Sequence, residues 1–354
     1  MKQILLATTA LVMTAGVAAA EITFSGTAEM GIVGSGEDMA VIGRGQSTVG
    51  GTEFHNDFNL IVTATGETDM GLSFGVSTEI SKDEGEANGN FSADNTAAFI
   101  SGAYGTLTMG EIDGAMDWAI TENIGNPGSI GDDETTHLGY LGAFGDASYD
   151  NQIARYEYNF GDFGVAISAE LSDGEFVSDD PEVGVNNEIV GDSGENYAVG
   201  GKYSGDFGGF GLGFGLAYQT FDDGAITFVE DVQGIGEADV DILAVSATAD
   251  FNNGFKAGIE YSDWSADNDA GQELDFAHMA ISGGFVTGAF EIGANYGVFD
   301  FDTDGAADKI EGYGIAAAYD LGGGLKVHGG YGDSDVDGIE GDWETYSVGV
   351  SMSF

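Results

Sequence analysis

Apolar residues return at every second position along most of this chain. The last stretch puts Tyr346, Val348, Val350, Met352 and Phe354 on one side, and Ser347, Gly349, Ser351 and Ser353 on the other. A period of two predicts a strand with one apolar face. The opposite face is polar, yet small and uncharged. Ile22, Phe24, Ala28, Met30 and Ile32 repeat the pattern near the start, and Phe290, Ile292, Ala294, Tyr296 and Val298 repeat it late. Sixteen such segments are predicted.

The connections between them alternate in length. Short, Gly-rich stretches at 65–71, 103–106, 160–164, 204–209, 251–254, 286–288 and 321–324 read as hairpin turns. Between them lie longer acidic stretches at 34–46, 83–94, 111–151, 172–195, 219–239, 262–275, 299–309 and 332–343. Both chain ends then fall on the short-turn side. A soluble sandwich also has alternating strands, but it does not segregate short and long connections this way. An even strand count, short turns on one side, long outer loops on the other and an outward apolar face predict a 16-stranded antiparallel transmembrane β-barrel. Closure leaves no sheet edge in lipid. Sixteen strands leave an aqueous channel.

Composition changes the picture at three points. Residues 1–20 hold Lys2, an apolar run from Ile4 to Val17 and the small residues Ala18, Ala19 and Ala20. This is the pattern of a secretory signal cut before Glu21, which leaves 21–354 as the barrel domain. Sixty-one acidic residues face eight basic ones, a net charge of -53. Phosphate binding needs clustered Lys and Arg, so nucleic acid is excluded as a partner and cations are favoured. The chain has no cysteine, which removes disulfides and thiolate chemistry. Its four histidines show no metal or triad spacing, so no enzyme activity is expected.

The longest connection, 111–151, carries Glu111, Asp113, Asp117, Glu122, Asp132, Asp133, Glu134, Asp146 and Asp150, with no Lys or Arg. A connection of this length is as a rule functional or disordered. Carboxylates around a narrow passage concentrate cations and repel anions.

Two further stretches fit the D-x-D-x-D-G pattern of a calcium loop. In the first the candidate ligands are Asp300, Asp302, Asp304, Asp308 and Glu311; in the second they are Asp333, Asp335, Asp337 and Glu344. The competing readings are solvated acidic loops, or acids bridged by divalent ions to phosphates of outer-leaflet lipid. Trp264 and Trp343 are candidates for an interfacial aromatic girdle.

Four stretches carry a family resemblance. They are E-I-T-F-S-G-T-A-E-M-G at 21–31, F-I-S-G-A-Y-G-T-L-T-M-G-E at 99–111, R-Y-E-Y-N-F-G-D-F-G-V-A-I-S-A-E-L at 155–171, and the terminal Y-S-V-G-V-S-M-S-F. With them the chain resembles the general diffusion porins of the Gram-negative outer membrane, in their alphaproteobacterial form. The resemblance implies a homotrimer among outer-membrane lipid and lipopolysaccharide, with short periplasmic turns and no required cofactor. It implies that the third long loop, 111–151, folds inward as the constriction. Such porins oppose that loop with a basic wall; this sequence departs from the pattern by being poor in Lys and Arg, with Arg155 the best candidate and Arg44, Lys82 and His55 the others, which strengthens the cation preference. The expected function is a water-filled, cation-preferring channel for passive diffusion of small hydrophilic solutes. The alternatives are a secreted acidic calcium-binding β protein and a substrate-specific outer-membrane channel.

Overall fold

The computed structural model describes residues 21–41, 51–82, 91–130, 137–142, 144–146, 148–149, 151–171, 176–178, 187–189, 194–224, 238–268, 271–302 and 308–354. The export signal expected at 1–20 lies outside them. So do Arg44, Asp132, Asp133, Glu134 and Asp304.

The chain opens with β1 (Glu21–Ser35), a short α1 (Glu37–Val41), β2 (Gly51–Glu67), β3 (Ser73–Lys82), β4 (Phe91–Gly102) and β5 (Gly105–Gly110). After the long connection, which holds α2 (Ala115–Ala119), come β6 (Ile153–Phe160) and β7 (Phe163–Leu171). A small hairpin, β8 (Phe176–Ser178) and β9 (Asn187–Ile189), stands apart from the main sheet. Then follow β10 (Glu195–Asp206), β11 (Gly211–Gly224), β12 (Ala238–Asp250), β13 (Phe255–Asp267) and β14 (Glu273–Thr287). The last four are β15 (Phe290–Phe301), β16 (Lys309–Gly322), β17 (Leu325–Val336) and β18 (Thr345–Ser353).

All strands but β8 and β9 form one closed antiparallel barrel of sixteen. Neighbours in sequence pair in space, and β1 closes the ring on β18, from Thr27 opposite Ser353 to Ser35 opposite Thr345. The terminal Phe354 donates its N–H to the Gly26 carbonyl at 2.9 Å, so the ladder runs to the last residue. A secreted sandwich would leave edges; this ring leaves none.

The period of two sorts the side chains. Along β12, Val240, Ile242 and Ala244 are buried, while Leu243 and Val245 are about half exposed on the outside. Tyr, Phe, Leu, Ile and Val dominate the outer face from β6 to β16. Each large apolar side chain that lipid covers contributes about 1.5–3 kcal/mol. Tight turns use glycine where φ is positive, as at Gly161 (φ 64) and Gly288 (φ 64). At Asn95 (φ 51) β4 carries an irregularity opposite β3, and asparagine tolerates that backbone better than most residues.

Two details depart from expectation. Strands run further into the acidic stretches, so Asp333 and Asp335 lie within β17 rather than in a loop. The inner face of β11–β14 is apolar near the long-loop end. There Phe221, Ile242, Trp264 and Phe276 pack with Met116, Leu138 and Phe144 of the long connection. The barrel therefore holds a hydrophobic core against one side of its lumen. Trp264 belongs to that core and not to an outer girdle: it is 2% exposed and stacks on Phe276 at 5.0 Å and Phe144 at 6.2 Å.

Candidate functional site

The described residues of the connection 111–151, here the inner loop, lie inside the barrel. The loop's path is marked by glycines on the inner wall. A Cβ added at Gly200 would stand 2.2 Å from the Ala115 carbonyl oxygen, and one at Gly215 would stand 2.2 Å from that of Ala119. One at Gly284 would stand 1.8 Å from the Gly125 oxygen, and one at Gly349 would meet Ile130 at 2.7 Å. Only glycine lets a loop backbone approach the wall this closely. The loop thus follows the wall from β10 past β14 to β18.

Serines on the same wall satisfy the loop's backbone. Ala115 N–H donates to Ser168 at 2.8 Å, Thr121 to Ser246 at 3.1 Å, Ile124 to Ser282 at 2.8 Å and Leu138 to Ser334 at 2.9 Å. Each such bond contributes about 0.5–1.5 kcal/mol net, and costs more if it is lost in a dry seam. Gln219 and Asn196 add bonds to Gly145 at 2.9 and 2.6 Å.

The acidic residues of the loop divide by environment. Asp113 is exposed and Asp117 half-buried on α2. Burial first, then the charges of Asp146, Asp113 and Glu122, raises the Asp117 pKa to about 8, against the pull of Arg155. Asp146 accepts from the Gly114 N–H at 2.6 Å and from Gln219 at 2.9 Å. Burial still raises its pKa to about 6. Glu111 accepts the Thr96 N–H at 3.0 Å, which ties the loop root to β4. Glu122 departs from expectation. It is 9% exposed and faces the wall, accepting the N–H groups of Leu141 at 2.8 Å and Gly142 at 3.1 Å. Burial raises its pKa to about 7, opposed first by His278. It fastens the loop rather than lining water.

The expected basic wall is thin. Arg155 does face inward, donates to the Asp113 carbonyl and lies 3.4 Å from Glu157. His55 is buried, 3.8 Å from Glu29. Lys82 is a correction: the register sets it between Phe58 and Phe91, on the outer face it shares with Phe74 and Val76. The alternation of β3 turns it away from the lumen. The inner face of β2–β4 carries Asp57, Asn59, Thr63, Ser77, Glu79, Ser81, Ser92 and Asp94 instead. Ser81 and Ser92 both donate to Asp94 at 2.6 Å, and Asn95 donates to Glu79 at 3.1 Å.

Further lumenal cations were invisible to motif reasoning, although alternation marks them as inward. Lys202 lies under Trp118 of α2. Lys256 sits 3.7 Å from Asp250, and Lys326 sits 3.4 Å from Glu291.

The candidate calcium residues spread along the outer rim. Asp300 is opposite Lys309 in the β15–β16 register, and Asp335 is opposite Glu311 in the β16–β17 register. Tyr296 donates to Glu311 at 2.7 Å, and Tyr331 to Glu344 at 3.4 Å. Asp302 follows β15, Asp308 precedes β16, and Asp337 begins the turn after β17. Among the described residues no three His, Asp or Glu side chains stand together where a metal could be held.

Comparison with known proteins gives a consistent answer. The family model described as "Gram-negative porin" matches residues 7–339. A porin of Rhodobacter capsulatus is 29% identical over 335 residues, 89% of this chain and 95% of that one. A porin of Fuscovulum blasticum is 27% identical over 275 residues, 76% of this chain and 81% of that one. A solved porin structure superimposes with a TM-score of 0.63 at 25% identity, over 94% of this chain and all of that one. A closed sixteen-stranded barrel with a loop packed inside it, matched by the family model over residues 7–339, places the chain: it belongs to the Gram-negative porin family, the channel-forming barrels of the outer membrane.

Proposed function

We propose that this porin is a passive, cation-preferring channel for small hydrophilic solutes, with the inner loop as its constriction. Residues 1–20 act as its export signal in this reading, and 21–354 form the barrel. One observation carries the selectivity. Of the lumenal cations described here, Arg155, Lys256 and Lys326 each stand beside a carboxylate, and Lys202 is covered by Trp118. Asp113, Asp57 and Glu79 meanwhile face the lumen, and no cation among the described residues is paired to them. A passage lined this way concentrates cations and repels anions. Planar-bilayer recording across a KCl gradient tests it. A reversal potential of cation sign is expected; an anionic sign would overturn the selectivity, and the absence of conductance would overturn the channel.

Assembly as a homotrimer has support on the outer face of β3 and β4. Thr78 and Thr96 share a hydrogen bond of 2.7 Å there, and Lys82 follows four residues along β3 on the same face. Polar groups are costly against lipid tails, and a neighbouring copy would cover them. Chemical crosslinking in mild detergent should stop at three copies; a monomer throughout would refute it.

We also propose that the outer rim gathers divalent cations such as calcium. Glu311 and Asp335 face each other across two strands, and like charges so placed repel. Calorimetric titration should show weaker calcium binding in Asp335→Ala and Asp302→Ala. One shared weak isotherm for wild type and both variants would remove the proposal.

A further inference from the structure

His278 projects from β14 into the seam between wall and inner loop and is fully buried. Its Nδ1 lies 2.8 Å from Oε2 of Glu260 on β13, and its Nε2 lies 2.9 Å from the Gly139 carbonyl oxygen in the loop. A carbonyl oxygen only accepts, so Nε2 carries a proton. An ionised carboxylate also only accepts. Nδ1 therefore carries a second proton, or shares one with Glu260. In both cases the pair holds one proton more than a neutral imidazole beside a carboxylate.

The other groups facing this ring are few. From the loop, Glu122 places Oε1 3.6 Å from Nε2. His137, also in the loop, is held neutral near pH 7: burial, then the His278 charge, lowers its pKa to about 4. From β15 come the Phe299 ring at 4.5 Å and the backbone of Gly297. From β13, Ser262 lies opposite in the register. A wall histidine also holds the loop elsewhere. His328 on β17 places Nδ1 3.2 Å from the Gly128 carbonyl oxygen and Nε2 3.6 Å from Glu29, which His55 approaches from β2 at 3.8 Å.

We propose that His278 is a positioning residue of the pore, and that the proton it holds with Glu260 keeps the returning limb of the inner loop seated at Gly139. The proposal rests on reading the inner loop as the constriction. Removal of that proton sets a bare Nδ1 lone pair against a carboxylate in a dry seam, which burial penalises. The network then relaxes by releasing Gly139, and the limb moves into the lumen. Leu138 keeps its bond to Ser334, so the release is local. Raising the pH frees this limb; lowering it seats the limb.

Single-channel recording of wild type, His278→Ala and Glu260→Gln from about pH 5 to about pH 10 tests this. In wild type, open-channel current noise should rise several-fold with pH. Glu260→Gln should stay quiet throughout, because its amide donates to a neutral Nδ1 while Nε2–H still holds Gly139. His278→Ala should be noisy at every pH. Identical pH profiles in wild type and Glu260→Gln would overturn the proposal, as would a quiet His278→Ala. The heat-dependent gel shift reports closure of each barrel. If His278→Ala fails to close, the Glu260→Gln comparison decides alone. A closed wild-type barrel without conductance at any pH would overturn the channel reading itself, and this proposal with it.

Discussion

The ammonium of Lys202 lies 3.7 Å from the centre of the Trp118 ring and donates to the Trp118 carbonyl oxygen at 2.9 Å. A half-buried positive charge on β10 is thereby turned to holding α2, and it offsets the lumenal acids only in part. A cation over an aromatic face contributes about 0.5–2 kcal/mol. Lys202→Met should expose Trp118 to a soluble fluorescence quencher and shift the reversal potential toward stronger cation selectivity. Unchanged quenching and potential would show that Lys202 neither holds the helix nor offsets the acids.

Asp117 should make selectivity depend on pH. Its pKa near 8 in the folded protein compares with about 3.9 in an unfolded chain. Between those values the folded state holds an extra proton, so its contribution to stability falls as pH rises and is lost by about pH 8. The negative charge appears over the same final step. The cation-to-anion permeability ratio should therefore climb between about pH 7 and about pH 9. Asp117→Asn should remove that step, and a variant that keeps it would assign the titration elsewhere.

A single methyl group should displace the inner loop. The Cβ of Gly284→Ala would stand 1.8 Å from the Gly125 oxygen and 2.9 Å from the Ile292 oxygen, both backbone atoms. Overpacking of this kind costs about 1–3 kcal/mol. Single-channel conductance should drop as the loop moves into the lumen, and the thermal midpoint should fall. Gly201→Ala is the control: its nearest neighbour would be the Gly164 oxygen at 3.8 Å. Equal behaviour of the two variants would refute the close approach.

The wall serines should matter in proportion to their dryness. Ser246→Ala leaves the Thr121 N–H without its acceptor, at a cost of about 1–3 kcal/mol. Ser77→Ala removes only a hydroxyl contact to Thr63 at 3.0 Å on the hydrophilic wall, where water can replace it. Thermal unfolding followed by circular dichroism should separate the two, with the Ser246 variant unfolding earlier. Equal midpoints would mean the seam is wet.

Alternation settled more than motif spacing did. Lys82 follows Phe74, Val76 and Ile80 at even spacing, so its outward direction was already present in the sequence. Trp264 shares the parity of Glu260 and Ser262, opposite to Tyr261, and so belonged to the inner face. The expectation of a basic wall and an aromatic girdle overrode that signal. The second D-x-D-x-D-G stretch carries a strand signal of the same kind. Asp333 and Asp335 continue the alternation of Tyr331, and β17 simply extends through them.

The sequence by itself determined the number of barrel strands, the alternation of turns and loops, and the face of most side chains; the β8–β9 hairpin was not among them. These depend on a period of two and on turn glycines, and both act between near neighbours. Only the tertiary structure decided which inward residues meet water and which meet the inner loop. Ser246 and Thr121 are 125 positions apart, and His278 and Gly139 are 139 apart. Barrel closure brings them together, and no local pattern encodes a contact that exists only once the ring is shut. The same closure divided the acids of the inner loop, leaving Asp113 in the passage while Glu122 turned to the wall.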